Sequence, residues 1–259
     1  MPSTTRYARS GWANNANELI RPARDGTLRV LKAASAAGVQ RVVLTSSIAA
    51  VAVGHDQYGD RMFTEDDWTD LDGEVPPYDM SKTLAERAAW EFVEGLDGDQ
   101  AMELTTINPS YVLGPSLLGV DNASNEIVAK LLRGEMPGAP RMHTPLVDVR
   151  DVATAHLLAM TTPEAAGKRF IINGETLWYR EIARTLADAG YRVPTRELPN
   201  LVMRIVGLFD GTVRLILPML GETVNLSNAR AVEVLGWSYR DAKESILETA
   251  AHIEGRASS

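Results

Sequence analysis

Residues 41–47, Arg-Val-Val-Leu-Thr-Ser-Ser, constrain the fold more than any other stretch of this chain. The apolar, β-branched run does not alternate with polar residues. That is the pattern of a strand buried on both faces of a parallel sheet, because a half-exposed strand would show period two. Just before it, Leu19, Ile20, Leu28, Val30, Leu31, Ala33, Ala34 and Ala37 recur at helical spacing, and Gly38 suits the left-handed position after a helix. A helix feeding a buried parallel strand is a crossover unit, so the chain belongs to the α/β class.

Later segments repeat the alternation. Pro76 and Pro77 introduce a helix from Tyr78 to about Val93. Strands are predicted at 102–108, 145–149 and 169–172, with a helix over 150–160 between the last two. After Gly174 the pattern turns helical, over 179–189, 198–217, 227–235 and 241–253. The long segment between Ile48 and Pro77 carries Gly54, Gly59 and Gly73, and connections of that length in compact domains are commonly functional. The expected organisation is an irregular segment over 1–16, a sheet domain over 17–174 and a smaller, mainly helical substrate lobe over 175–259.

Composition excludes several function classes. None of the 259 residues is cysteine, which rules out disulfides, thiolate zinc sites and a cysteine nucleophile. The net charge of −8 argues against a nucleic-acid surface. The most apolar late stretch, 198–220, is interrupted by Arg204, Asp210 and Arg214, so no membrane span is expected. His55, His143, His156 and His252 are scattered without ligand spacing, and no metal is predicted. No G-x-S-x-G elbow supports a serine hydrolase. A cytoplasmic protein acting on a small molecule is the expectation.

The chemistry concentrates in Tyr78-Asp-Met-Ser-Lys82, where the i, i+4 spacing puts a phenol and an ammonium on one helix face. An ammonium nearby is expected to lower the phenol pKa and make it a usable acid. Such a pair alone occurs on many helices with the lysine a solvated end, and a lone Ser47 would read as a turn cap. The ordered set carries the weight. Ser46 and Ser47 stand at the carboxyl end of a buried strand, where open α/β sheets bind ligands, and a hydroxyl there can support an oxygen gaining negative charge. The Tyr-x-x-x-Lys pair then opens a helix, and the next strand ends in Asn108-Pro-Ser-Tyr-Val-Leu-Gly-Pro115.

With Gly26-Thr-Leu-Arg-Val-Leu-Lys32, Val147-Asp-Val-Arg-Asp-Val-Ala153 and Leu235-Gly-Trp237, these motifs resemble the extended short-chain dehydrogenase/reductases. The similarity runs from about Asn17 to Ile253 and lies with the dihydroflavonol, cinnamoyl-CoA and aldehyde reductase branch. The resemblance implies a Rossmann-like, doubly wound parallel sheet that uses NADP or NAD, with NADPH preferred. Ser47 resembles the donor to the substrate carbonyl, Tyr78 the general acid, and Lys82 the residue that tunes the tyrosine and holds the nicotinamide ribose. Pro109, Ser110 and Val112 resemble the segment meeting the nicotinamide amide, and Ser124 a later cofactor contact. Asp148, Arg150 and Asp151 read as a helix cap with a salt bridge.

The family's glycine-rich phosphate turn does not occur in this sequence, so the resemblance implies an incomplete sheet with its first strands missing. The strand over 41–47 would then lie at an unprotected edge, and the dinucleotide would be held weakly. The expected activity is reduction of a ketone or aldehyde, or the reverse oxidation, by a Ser/Tyr/Lys mechanism. The alternatives are a nucleotide-sugar epimerase or dehydratase, and a non-catalytic remnant unable to hold the dinucleotide. A homodimer is compatible with the sequence.

Overall fold

The computed structural model describes residues 16–55, 58–98, 101–116, 123–209, 213 and 217–255. The expected irregular N-terminal segment lies almost wholly outside them. Along the chain run α1 (Asn17–Ala36), β1 (Arg41–Thr45), β2 (Met62–Phe63), α2 (Pro77–Glu94), β3 (Glu103–Pro109), β4 (Tyr111–Leu113), α3 (Glu126–Leu132), β5 (Ala139–Pro140) and β6 (His143–Asp148). There follow α4 (Val149–Thr161), β7 (Arg169–Ile172), β8 (Glu175–Trp178), α5 (Tyr179–Asp188), β9 (Glu197–Leu198), α6 (Asn200–Val206), β10 (Asn225–Leu226), α7 (Ala229–Leu235) and α8 (Ala242–Ile253).

The principal sheet is parallel, in the order β1-β3-β7, with helices on both faces. On one side Val42 and Leu44 join Leu31 of α1, Ala89 of α2 and Leu104 in an apolar cluster. On the other, Val43 packs with Ile107, Phe170, Ile172 and the α4 residues Val152, Ala155 and Ala159. Successive β1 side chains thus enter opposite clusters, which is why the sequence there is apolar without alternation. Among the described residues β1 bonds only β3. At the end of α1, Gly38 takes φ +71° while its N–H donates to the Ser35 carbonyl and Val39 N–H to the Ala34 carbonyl. This closes the helix and turns the chain into β1.

A second sheet, β4-β6-β8, combines a parallel pair with an antiparallel one and joins segments on both sides of residue 174. It rests on Leu113, Leu146, Val128 and Leu131 together with Ile182 and Leu186 of α5 and Ile246 of α8. Asp148 caps α4 by accepting from Arg150 N–H at 2.8 Å, and its carboxylate also pairs with the Arg150 guanidinium at 2.7 Å. Asp151 is buried and accepts from Arg240 through both side chain and backbone, so the cap and bridge read from the sequence have these partners.

The helix expected over 198–217 is not continuous. Leu198 pairs in β9 with Pro140, Pro199 cannot extend a helix backwards, and α6 stops at Val206 before Gly207. Residues 210–212 and 214–216 of that expectation lie outside the described residues.

Candidate active site

The carboxyl ends of β1, β3 and β7 lie at one side of the sheet, since Thr45 pairs with Ile107 and Pro109 with Ile172. Ser47 follows β1 with extended backbone (φ −165°, ψ 157°), and its Oγ accepts from Ala49 N–H at 3.1 Å to start a short 3-10 turn over Ile48–Ala50. It therefore does cap the turn. The same hydroxyl is close enough to the Tyr78 phenol to favour its ionised form. Beyond the turn the chain folds back on itself. Thr69 Oγ1 donates to the Ala49 carbonyl at 2.7 Å, and Asp70 N–H to Val53 at 2.9 Å. A Cβ on Gly73 would sit 2.0 Å from the Gly54 carbonyl oxygen, so only a backbone without a side chain allows this closure.

Helix α2 carries Tyr78 in its first turn and Lys82 one turn later. The Lys82 ammonium stands 5.8 Å from the centroid of the Tyr78 ring. It also lines a cavity of about 110 Å³ with Ala23 and Thr27 of α1, Leu44, Thr45 and Ser46 at the end of β1, and Ala85 and Glu86. Burial lowers the Lys82 pKa, and the Glu86 carboxylate opposes that shift.

The sequence reading expected the ammonium to pull the Tyr78 phenol down, and the structure departs from it. The phenol is raised, first by loss of hydration and then by the Asp79 carboxylate, with the Ser47 hydroxyl pulling the other way. Although 41% of Tyr78 is exposed, the surroundings of its hydroxyl are dense enough for desolvation to dominate. Asp79 itself is pushed up to about 6 by burial. Tyr111, packed beyond it, is pushed up to about 12 by burial and by the Asp79 and Tyr78 charges.

Pro109 and Ser110 close β3 directly beside Ser47, since Asn108 Nδ2 donates to the Ser47 carbonyl at 3.1 Å. Ser110 is buried with its N–H on the Ile172 carbonyl, and Val112 packs into the cluster under α4. Ser124 lies in the turn before α3, and no bond among the described residues ties it to Tyr78 or Lys82. The structure thus brings Ser47 beside the strand end that carries Pro109 and Ser110, with Tyr78 and Lys82 on the adjoining helix α2.

Sequence reasoning missed Glu86. It is 1% exposed and accepts from Ser46 Oγ (2.5 Å), Asn108 Nδ2 (2.7 Å), Arg169 Nε (2.7 Å), Thr106 Oγ1 (3.1 Å) and Trp90 Nε1 (3.4 Å). The available signal was its spacing, since Glu86 falls one turn beyond Lys82 on the face that carries Tyr78.

Comparison with known proteins shows the family. The NAD dependent epimerase/dehydratase family matches residues 7–173. The NADPH-dependent methylglyoxal reductase GRE2 of Saccharomyces cerevisiae is 33% identical over 263 residues, covering 92% of this chain and 72% of that protein. Cinnamoyl-CoA reductase CAD2 of Medicago truncatula is 39% identical over 188 residues, 71% of this chain and 55% of the relative. The crystal structure of the yeast methylglyoxal/isovaleraldehyde reductase Gre2 complexed with NADPH superposes with a TM-score of 0.75 at 28% identity, over 95% of this chain and 75% of that one. The chain belongs to the NAD-dependent epimerase/dehydratase family.

Proposed function

We propose that this protein is an NADPH-dependent reductase of a small or medium-sized aldehyde or ketone, with Tyr78 as the proton donor. The observation that carries this reading is the Lys82 ammonium 5.8 Å from the centroid of the Tyr78 ring, with the Ser47 hydroxyl acting on the phenol from the end of β1. The similarity to a methylglyoxal reductase and a cinnamoyl-CoA reductase points to carbonyl chemistry.

The residues present fit the nicotinamide end of a dinucleotide. The Lys82 ammonium and the residues Thr27, Thr45 and Ser46 border one cavity, which suits the hydroxyls of a ribose. Pro109, Ser110 and Val112 would offer backbone to the carboxamide, and Ser124 is a further candidate contact. When bound, the cofactor supplies a hydride to the carbonyl carbon.

The chain's own part is positional and protonic. Ser47 holds the carbonyl oxygen by a hydrogen bond that strengthens as negative charge develops there. Tyr78 delivers its hydroxyl proton to that oxygen, completing the alcohol and leaving a phenolate that Lys82 stabilises electrostatically. Because Tyr78 is 41% exposed, the phenolate can recover a proton from water. The reverse sequence oxidises an alcohol by the same path.

Tyr78→Phe tests the reading. NADPH-dependent reduction should fall by roughly 100- to 10,000-fold, the range for removal of a general acid. Affinity for NADPH, measured by titration calorimetry, should stay within the same order of magnitude. A variant that kept near-normal kcat would overturn the assignment.

A further inference from the structure

We infer that Glu86 is a positioning residue of this site, setting the place of Ser47 through Ser46 and Asn108 and keeping the Lys82 ammonium charged. The inference rests on the reading of Ser47, Tyr78 and Lys82 given above. It starts from how the two carboxylate oxygens divide their work. Oε1 accepts from Arg169 Nε, Thr106 Oγ1 and Trp90 Nε1, which tie α2 to β3 and β7. Oε2 accepts from Ser46 Oγ and Asn108 Nδ2, at the mouth of the sheet.

The second set reaches the proposed chemistry. The Asn108 amide spends one N–H on Glu86 and the other on the Ser47 carbonyl, while its Oδ1 lies 3.1 Å from Thr106 Oγ1, whose single proton it shares with Glu86 Oε1. Its orientation is therefore fixed by a pure acceptor at Oε2. Ser46, whose N–H also donates to the Ile107 carbonyl, is held on the same oxygen. Both residues bracketing the Ser47 backbone thus depend on Glu86, and the place of the Ser47 Oγ follows from them.

A purely structural salt bridge does not account for this arrangement. Arg169 has further acceptors in the carbonyls of Glu65, Asp67 and Ala50, and it lies 3.8 Å from the centroid of the Trp68 ring. The guanidinium is thus well held apart from Glu86. Among the described residues, Glu86 is also the one other charged side chain lining the cavity that Lys82 enters, since Ala23, Thr27, Leu44, Thr45, Ser46 and Ala85 carry no charge. The centroid of the Tyr78 ring stands 5.8 Å from the ammonium. An acceptor-only carboxylate serves five donors, whereas a glutamine amide would turn two N–H groups toward them.

The test uses four variants of the full chain. Lysines are labelled by reductive 13C-methylation and the Lys82 resonance, assigned by its loss in Lys82→Arg, is followed against pH alongside kcat. In Glu86→Gln the Lys82 titration and the alkaline limb of kcat should both move to lower pH, with kcat reduced by roughly 10- to 100-fold, the range for a displaced reacting group. Ser46→Ala keeps the charge and the Arg169 pair, so it should lower kcat by about tenfold and leave the Lys82 titration in place. A fold-only role would lower Tm and leave both pH curves unmoved, which overturns the inference. If Glu86→Gln does not fold, Ser46→Ala decides, and unchanged kcat there sinks the proposal. Tyr78→Phe serves as control. Activity surviving in it refutes the site reading, whereas an inactive Tyr78→Phe with unshifted Glu86→Gln curves refutes the role of Glu86 alone.

Discussion

Asp79 shows how burial can outweigh sequence neighbourhood at the residue scale. It adjoins the proposed proton donor, and Tyr58, Tyr78 and Tyr111 are all raised in part by its charge. Its pKa, pushed up to about 6, exceeds the unfolded value, so the native state binds the proton more tightly. Stability should therefore fall as pH rises between about 4 and 6 and stay reduced above that window. Asp79→Asn removes the penalty. We expect it to raise stability at pH 7.5 by on the order of 1 kcal/mol and to change little at pH 4, as thermal melts at both pH values would show. Equal melting temperatures at pH 7.5 would contradict the assignment. The spacing of Ser47, Tyr78 and Lys82 was legible because it follows helix and strand periodicity. The upward direction of the Tyr78 shift was not, because desolvation depends on what three-dimensional packing brings around the hydroxyl. Glu86 was missed for a related reason, since a glutamate on a helix reads as a solvated face until its five donors are seen.

At the scale of elements, the long periodic segments were legible and the short ladders were not. Helix α1, strand β1 and helix α2 each carry their own pattern, with Gly38 just past α1 and Pro77 opening α2. The two-residue pairs β2 with β10 and β5 with β9 are set by register between distant segments, and no local period announces them. The false continuation of α6 has the same origin, because an apolar run cannot by itself place the break at Pro199 and Gly207. Asp151 illustrates a contact that joins elements. It receives Arg240 through both backbone and guanidinium, while its own carbonyl accepts Trp237 Nε1 at 2.9 Å. Asp151→Ala would leave Arg240 without its partner and detach the segment after α7 from α4. Urea denaturation should register a loss of about 1.5 kcal/mol, as for a charged hydrogen bond lost at a half-exposed pair. A loss below about 0.5 kcal/mol would place the contact among ordinary surface pairs.

For the whole molecule, the sheet order brings three strand ends to one side, and the site forms where β1 and β3 meet the start of α2. The fold class was legible because parallel strands separated by helices admit few arrangements. The chain spans 72% of the yeast methylglyoxal reductase and 75% of the superposed Gre2 structure, and its relation to them rests on that shared length. The central claim is that a nicotinamide hydride reaches a carbonyl carbon while the oxygen takes a proton at Tyr78. The most direct test incubates the protein with methylglyoxal and NADPH deuterated at the nicotinamide C4, in separate samples for each face, and reads the alcohol by 2H NMR. The account predicts one deuterium on the carbinol carbon from one face only, with the signal lost in Tyr78→Phe. Carbinol carbon without deuterium from either face, or an undiminished signal in Tyr78→Phe, would contradict it.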